Sequence, residues 1–257
     1  MRILKSFAIA FSIYSKIPMP GFAWEEEDMR CHLIFFPWVG MVIGGLEYLL
    51  LGVLCGPDLP LLFRVALAGV IPLIVTGGFH VDGFMDVQDA LCSYKSKEEK
   101  LAILKDPHVG AFSVISLLVY VLLFGGALSL ALTYGGTGSI ALFAFGFPVC
   151  RALGALVMLK LKKARPEGML HRETRDTGTV TVAVLVAELL ILLGLMLWID
   201  PWGTLIFIGA VLFFTTYYRW KMYREFGGVT GDTTGYHITC SELVGLMAIA
   251  AWSMICR

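Results

Sequence analysis

Seven apolar windows of roughly membrane-spanning length recur along the chain, near 33–54, 60–79, 111–133, 138–159, 179–199, 202–218 and 238–256. A helix needs about 20 mostly apolar residues to cross a bilayer. In hydrocarbon only helices and closed barrels satisfy their own backbone. The windows are long and apolar, so an all-α, polytopic helical membrane protein of about seven transmembrane helices is expected, within a range of six to eight. The fourth window is interrupted by Pro148 and Arg151, and the sixth is short. Residues 1–16 read as a retained interfacial or short inserted helix, because no small-residue cleavage site follows them. With no long linker and no shift in composition, 1–257 reads as one integral-membrane catalytic domain.

Composition agrees. The 257 residues are 58% hydrophobic and 16% charged, against about 25% charged in a soluble domain. Formal net charge is zero, which excludes nucleic acid as a partner. The six cysteines form no C-x-x-C pair, so no zinc or redox motif is present.

Charge placement gives the topology. Segments 1–31, 80–110, 160–178 and 219–237 hold 17 of the 20 Lys and Arg residues, and the alternate connections hold none. Seven spans put the four basic segments on one side. The positive-inside rule makes that side cytoplasmic, so a multi-pass protein of the cell inner membrane is expected, in contact with the lipid bilayer. A homo-oligomer is compatible with this pattern.

The polar motifs fall on the same side. In GGFHVDGFMDVQDA (77–90), Asp82, Asp86 and Asp89 stand at i, i+4 and i+7, one face of a helix. Like charges so placed repel unless neutralised. Carboxylate oxygens suit a hard cation such as Mg2+, which keeps waters and substrate phosphates as further ligands. Gly77 and Gly78 allow a helix break or close backbone approach. The plain alternative is a solvated acidic face at the membrane edge. GGVTGDTTGYHITCSE (227–242) offers Gly228, Thr230 and Gly231 as a turn able to cradle phosphate, with Asp232 as a further ligand or base. A mere tight turn reads equally well. In the basic stretch 160–178, Lys160, Lys162 and Lys163 read as lipid anchors. Arg165, Arg172 and Arg175 read as phosphate clamps. Lys105, Asp106 and His108 lie in a turn before the third span. Arg151 is a cation within a span and requires a carboxylate or phosphate partner. Together these residues suit Mg2+-dependent phosphoryl or phosphodiester transfer to an alcohol.

Five segments also resemble the cobalamin synthase family (adenosylcobinamide-GDP ribazoletransferases), in order and nearly end to end. They are FSIYSKIPMP (11–20), FPWVGMVIGG (36–45), TGGFHVDGFMDVQDA (76–90), LKDPHVGAFSV (104–114) and GGVTGDTTGYHITCSELV (227–244). The resemblance implies a Mg2+-dependent inner-membrane enzyme. It would join adenosylcobinamide-GDP to alpha-ribazole, or to its 5'-phosphate, releasing GMP. It implies metal ligation by Asp82, Asp86 and Asp89, with Asp232 as a second-site candidate. It matches His80 to a carboxylate-orienting or proton-transferring position, and Lys105 and Asp106 to a paired motif. Ala90, His108, Ser113 and Tyr236 depart from the family pattern, and none of them touches the aspartates. The rival is a CDP-alcohol or isoprenoid-type phosphotransferase, whose characteristic opening is not matched by DGFMDV (82–87).

Overall fold

The structure, a computed structural model, describes every residue except Met1, Pro57, 166–173, 175–177 and Arg257, and omits the side chain of Glu26. Arg172 and Arg175 therefore lie outside the described residues.

The chain is helical throughout the described residues, apart from one isolated β-bridge between Lys163 and Val229. α1 (Arg2–Tyr14) is followed by the short α2 (Glu26–Met29), a 3-10 turn (His32–Phe35), α3 (Phe36–Tyr48) and a π-helical turn (Leu49–Leu54). Then come α4 (Leu61–Thr76), α5 (Phe79–Cys92), α6 (Lys97–Ile103), α7 (Ala111–Tyr134) and α8 (Thr137–Lys160). The chain ends with α9 (Thr179–Ile199), α10 (Pro201–Phe226) and α11 (Gly231–Ile255).

Among the described residues, six helical stretches are long and apolar enough to cross a membrane, beginning with Glu27–Leu54. The seventh window is less regular. α4 has 16 residues and reaches about 24 Å at about 1.5 Å per residue, short of a hydrocarbon core of about 30 Å. α5 leaves it at 95°, so α4 and α5 count as a seventh crossing only as one bent pair, with the aspartates beyond the bend. At the N-terminus, α1 has 13 residues and reaches about 20 Å, also too short to cross. It is fastened to the next segment by Lys5–Asp28 at 3.0 Å and Arg2–Glu27 at 2.7 Å.

α8 is the post around which the others pack. Nearly every residue from Ser139 to Met158 is buried, so the expected interruption at Pro148 and Arg151 does not occur: both lie inside one continuous 24-residue helix. Lipid does not supply a hydrophobic force between helices, so close backbone approach must hold them. Gly40 and Gly44 of α3 provide it, lying directly on the backbone of Phe147, Pro148 and Ala144. The sixth window, short by hydropathy, is the 26-residue α10. Its start is set by Pro201 and by Asp200, whose carboxylate accepts from Gly203 N–H at 2.9 Å and from Trp252 Nε1 at 2.7 Å. Within the spans, Glu188 accepts from Trp38 Nε1 at 2.9 Å. Glu47 is fully buried, and neither carboxylate oxygen has a hydrogen-bond partner among the described residues.

Candidate active site

The α4–α5 elbow is built by Gly77 and Gly78, at φ +64° and +79°. Both lie in the left-handed region that glycine enters without steric cost. Thr76 Oγ1 braces the turn, donating to Pro72 O at 2.7 Å and accepting from Gly78 N–H at 3.3 Å. The segment after α1 locks onto it. Lys16 N–H donates to Val75 O at 2.7 Å, and the Lys16 stem crosses Gly77 so closely that no Cβ fits there.

α5 then divides its faces. His80, Gly83, Phe84, Val87 and Ala90 are buried. Asp82 is exposed, while Asp86 and Asp89 are half-buried, so the three aspartates share a face as their spacing predicts. That face is not isolated. Gly83 rests on the backbone of Asp232, and Gly235 on that of His80, so α5 and α11 touch backbone to backbone. The contact draws Asp232 into the acidic cluster. Burial, followed by the charges of Asp82, Asp232 and Asp89, pushes the Asp86 carboxyl up to about 6.

The 227–242 motif is only partly the expected loop. α11 begins at Gly231, so Asp232 sits in its first turn. Thr230 caps the helix, its hydroxyl accepting from Thr233 N–H at 3.2 Å while its own N–H donates to Thr233 Oγ1 at 2.8 Å. A helix N-terminus favours negative charge through its free N–H groups and its dipole. Gly228 presses on the backbone of residues 162–164. The bridge there is closed by Ala164 N–H to Val229 O and Val229 N–H to Lys162 O, each 2.9 Å. This pairing holds Arg165 where its charge acts on Asp232. The Arg165 guanidinium also donates to Leu101 O at the end of α6.

The 104–114 motif reaches the same cluster through Gly110, which lies directly against the Asp89 carboxylate. Within it Lys105 is exposed. Asp106 organises the turn, accepting from His108 N–H at 3.0 Å with His108 Nδ1 at 2.6 Å; this His108 contact holds its carboxyl below the usual range.

The structure thus gathers Asp82, Asp86, Asp89, Asp232, Arg165, Gly228, Thr230 and Gly231 around the α5–α11 contact. Arg151 stands apart. It is 1% exposed and donates to Glu242 Oε1 at 2.6 Å and to Phe147 O at 3.0 Å. Its partner is a carboxylate 91 residues away, to which the sequence assigned no role. Nothing in the spacing of Lys16 indicates that it lies on the elbow.

Among the described residues, no three His, Cys, Asp or Glu side chains converge closely enough to hold a metal ion by themselves. Two or more carboxylates with an electrostatic conflict among them do fit a cation that takes its remaining ligands from water and phosphate. Such a conflict exists among Asp86, Asp82, Asp232 and Asp89, whose charges raise the Asp86 carboxyl.

The chain was then compared with known proteins. No solved structure matches it. Adenosylcobinamide-GDP ribazoletransferase of Lachnoclostridium phytofermentans is 38% identical over 99% of this chain and 97% of its own length. The protein of that name from Desulfitobacterium hafniense is 35% identical over 96% of this chain and 97% of its own. That of Clostridium botulinum strain Alaska E43 is 30% identical over 96% and 97%. The model of the family described as cobalamin-5-phosphate synthase (CobS) matches residues 6–250, and the chain belongs to that family.

Proposed function

We propose that the chain transfers the adenosylcobinamide phosphate of adenosylcobinamide-GDP to alpha-ribazole or its 5'-phosphate, releasing GMP and forming adenosylcobalamin or its phosphate. The observation that carries this reading is the backbone contact of α5 with α11, which gathers four aspartates beside a capped helix N-terminus and Arg165. Family membership supplies the substrate pair, as the relatives' names give it.

The diphosphate of the donor lies against the first turn of α11, where free N–H groups donate to its oxygens. Arg165 adds a fork suited to phosphate. A divalent cation held by carboxylates of the Asp82, Asp86, Asp89 and Asp232 cluster, with water and phosphate as its other ligands, would neutralise phosphate charge and polarise the phosphoryl group, and Mg2+ is the cation we assign. The acceptor's ribose 3'-hydroxyl attacks the corrinoid-side phosphorus. Asp89 or Asp232 takes its proton as general base, a new P–O ester bond forms, and the P–O bond to GMP breaks. The basic loops support a cytoplasmic side for this face by the positive-inside rule, in what we read as an inner-membrane protein.

The test is GMP release and cobalamin formation by the purified protein in lipid nanodiscs, with and without Mg2+. Mg2+-dependent product that disappears in Asp82→Ala supports the reading. A folded wild type that makes no product overturns it. Product that persists in Asp82→Ala moves the cation to other carboxylates.

A further inference from the structure

α6 carries its own start signal. The Ser96 hydroxyl accepts from Glu99 N–H at 3.3 Å, while Ser96 N–H donates to Glu99 Oε2 at 3.0 Å. This reciprocal pair satisfies two N–H groups left over at a helix start. With seven residues, however, α6 is too short to be stable alone in water, so its docking decides its place. One hold is apolar: Leu104 is buried, and Leu101 and Ile103 pack against the core. The other is ionic. Lys100 is 7% exposed, and its ammonium donates to Glu225 Oε2, near the end of α10, at 2.5 Å.

Charge neutralisation does not account for this pair. Glu225 already has two cations of its own helix beside its other oxygen, Arg224 at 3.5 Å and Lys221 at 3.9 Å. Lys100 must shed its hydration to reach it, and a buried ion pair is weak evidence of net stabilisation. What the pair does supply is a fixed point between α6 and α10.

The next residue uses that point. Carbonyls in the last turn of a helix lack partners within it. In α6 those of Lys100, Ala102 and Ile103 accept from the main-chain N–H groups of Leu104, Lys105 and Asp106. That of Leu101 accepts from the Arg165 guanidinium, a cation at the helix end where the dipole favours one. Arg165 is therefore the side-chain cap of α6. Its neighbour Ala164 donates to Val229 O at 2.9 Å, three residues before Asp232. One amino group of the guanidinium is committed to Leu101, and its other N–H groups remain for a phosphate.

We propose that Lys100 and Glu225 are positioning residues for the donor. By holding α6 on α10 they set the Leu101 carbonyl, and through it the Arg165 fork that grips the donor diphosphate. The inference rests on the transfer reaction proposed above and adds what aims its phosphate clamp.

KM for donor and for acceptor is measured by GMP release in nanodiscs for Lys100→Met, Arg165→Ala and the double variant, beside thermal unfolding of each. Methionine keeps an apolar stem at position 100, so the packing of α6 is retained. The expected result for Lys100→Met is a donor KM raised about tenfold, with acceptor KM and kcat unchanged. Lys100→Arg, which still pairs with Glu225, should return the donor KM to the wild-type value. In the Arg165→Ala background Lys100→Met should add about twofold at most, because residues acting through one contact are not additive. The same fold-change in both backgrounds overturns the inference. So does a joint rise of both KM values, or a wild-type donor KM in folded Lys100→Met. Should Lys100→Met fail to fold, Glu225→Gln cuts the same pair from the other side and is read by the same cycle. A wild type that releases no GMP sinks the reaction and this role with it, whereas an active wild type with an additive cycle sinks only the role.

Discussion

Gly83→Ala tests whether the backbone contact of α5 with α11 sets the active site. A Cβ at Gly83 would stand 2.8 Å from Asp232 O, 3.0 Å from its Cα and 3.3 Å from its carbonyl carbon. All three are backbone atoms of a capped helix start, so no side chain can swing away. Restoring an ordinary contact of 3.4 Å requires the helices to part by 3.4 − 2.8 = 0.6 Å at that point. Overpacking of this kind costs about 1–3 kcal/mol, and the better helix propensity of alanine returns about 1 kcal/mol. The net loss of stability is small, roughly 0–2 kcal/mol. Activity is more sensitive, because a misplacement of about 1 Å costs about 100-fold; a parting of 0.6 Å should lower kcat roughly tenfold. The assay is GMP release in nanodiscs beside thermal unfolding of the same samples. Gly45→Ala is the control, since its Cβ would meet nothing within 4 Å in the middle of α3; it should be neutral or slightly stabilising. Wild-type kcat in Gly83→Ala would refute the claim that this contact positions Asp232.

The cation proposal makes a pH prediction. Asp86 is raised to about 6, above its unfolded value, so its protonation favours the folded state. In metal-free protein the thermal midpoint should fall as pH rises through about 6 and recover below it, and Asp86→Asn should flatten that dependence. Added Mg2+ at pH 7.5 should raise the midpoint of the wild type but not of Asp86→Asn. Breaking the buried pair by Glu242→Gln should destabilise by about 3–5 kcal/mol, while Arg151→Met with Glu242→Leu should cost markedly less than the sum of its singles, read by thermal unfolding. A Cβ at Gly228 would lie 2.5 Å from Lys162 O, so Gly228→Ala should open the bridge that carries Arg165. The donor KM should then rise about tenfold or more with the unfolding midpoint little changed.

The spans were legible because bilayer thickness fixes their length whatever their neighbours. The shared face of Asp82, Asp86 and Asp89 was legible because helical spacing fixes it. Pro148 and Arg151 misled because hydropathy assumes that a helix faces lipid. α8 faces protein, where a cation needs only Glu242. The arrival of Asp232 depends on Gly83 and Gly235 letting two backbones meet, and a local pattern holds no information about such a meeting. The length of α10 was hidden by the charge-rich stretch 219–226, which extends the helix beyond its apolar window.

The Arg151–Glu242 pair also has a history during synthesis. Arg151 precedes its partner by 91 residues, so at about 5–20 residues per second the ribosome needs about 5–18 s to deliver Glu242. During that interval α8 carries an uncompensated cation worth about 2.5–3.5 kcal/mol against insertion at the helix centre. The alanines, phenylalanines and leucines of α8 must outweigh it unaided. Insertion and assembly are therefore separate events for this helix. The Arg151–Glu242 pair closes only once α11 has been made.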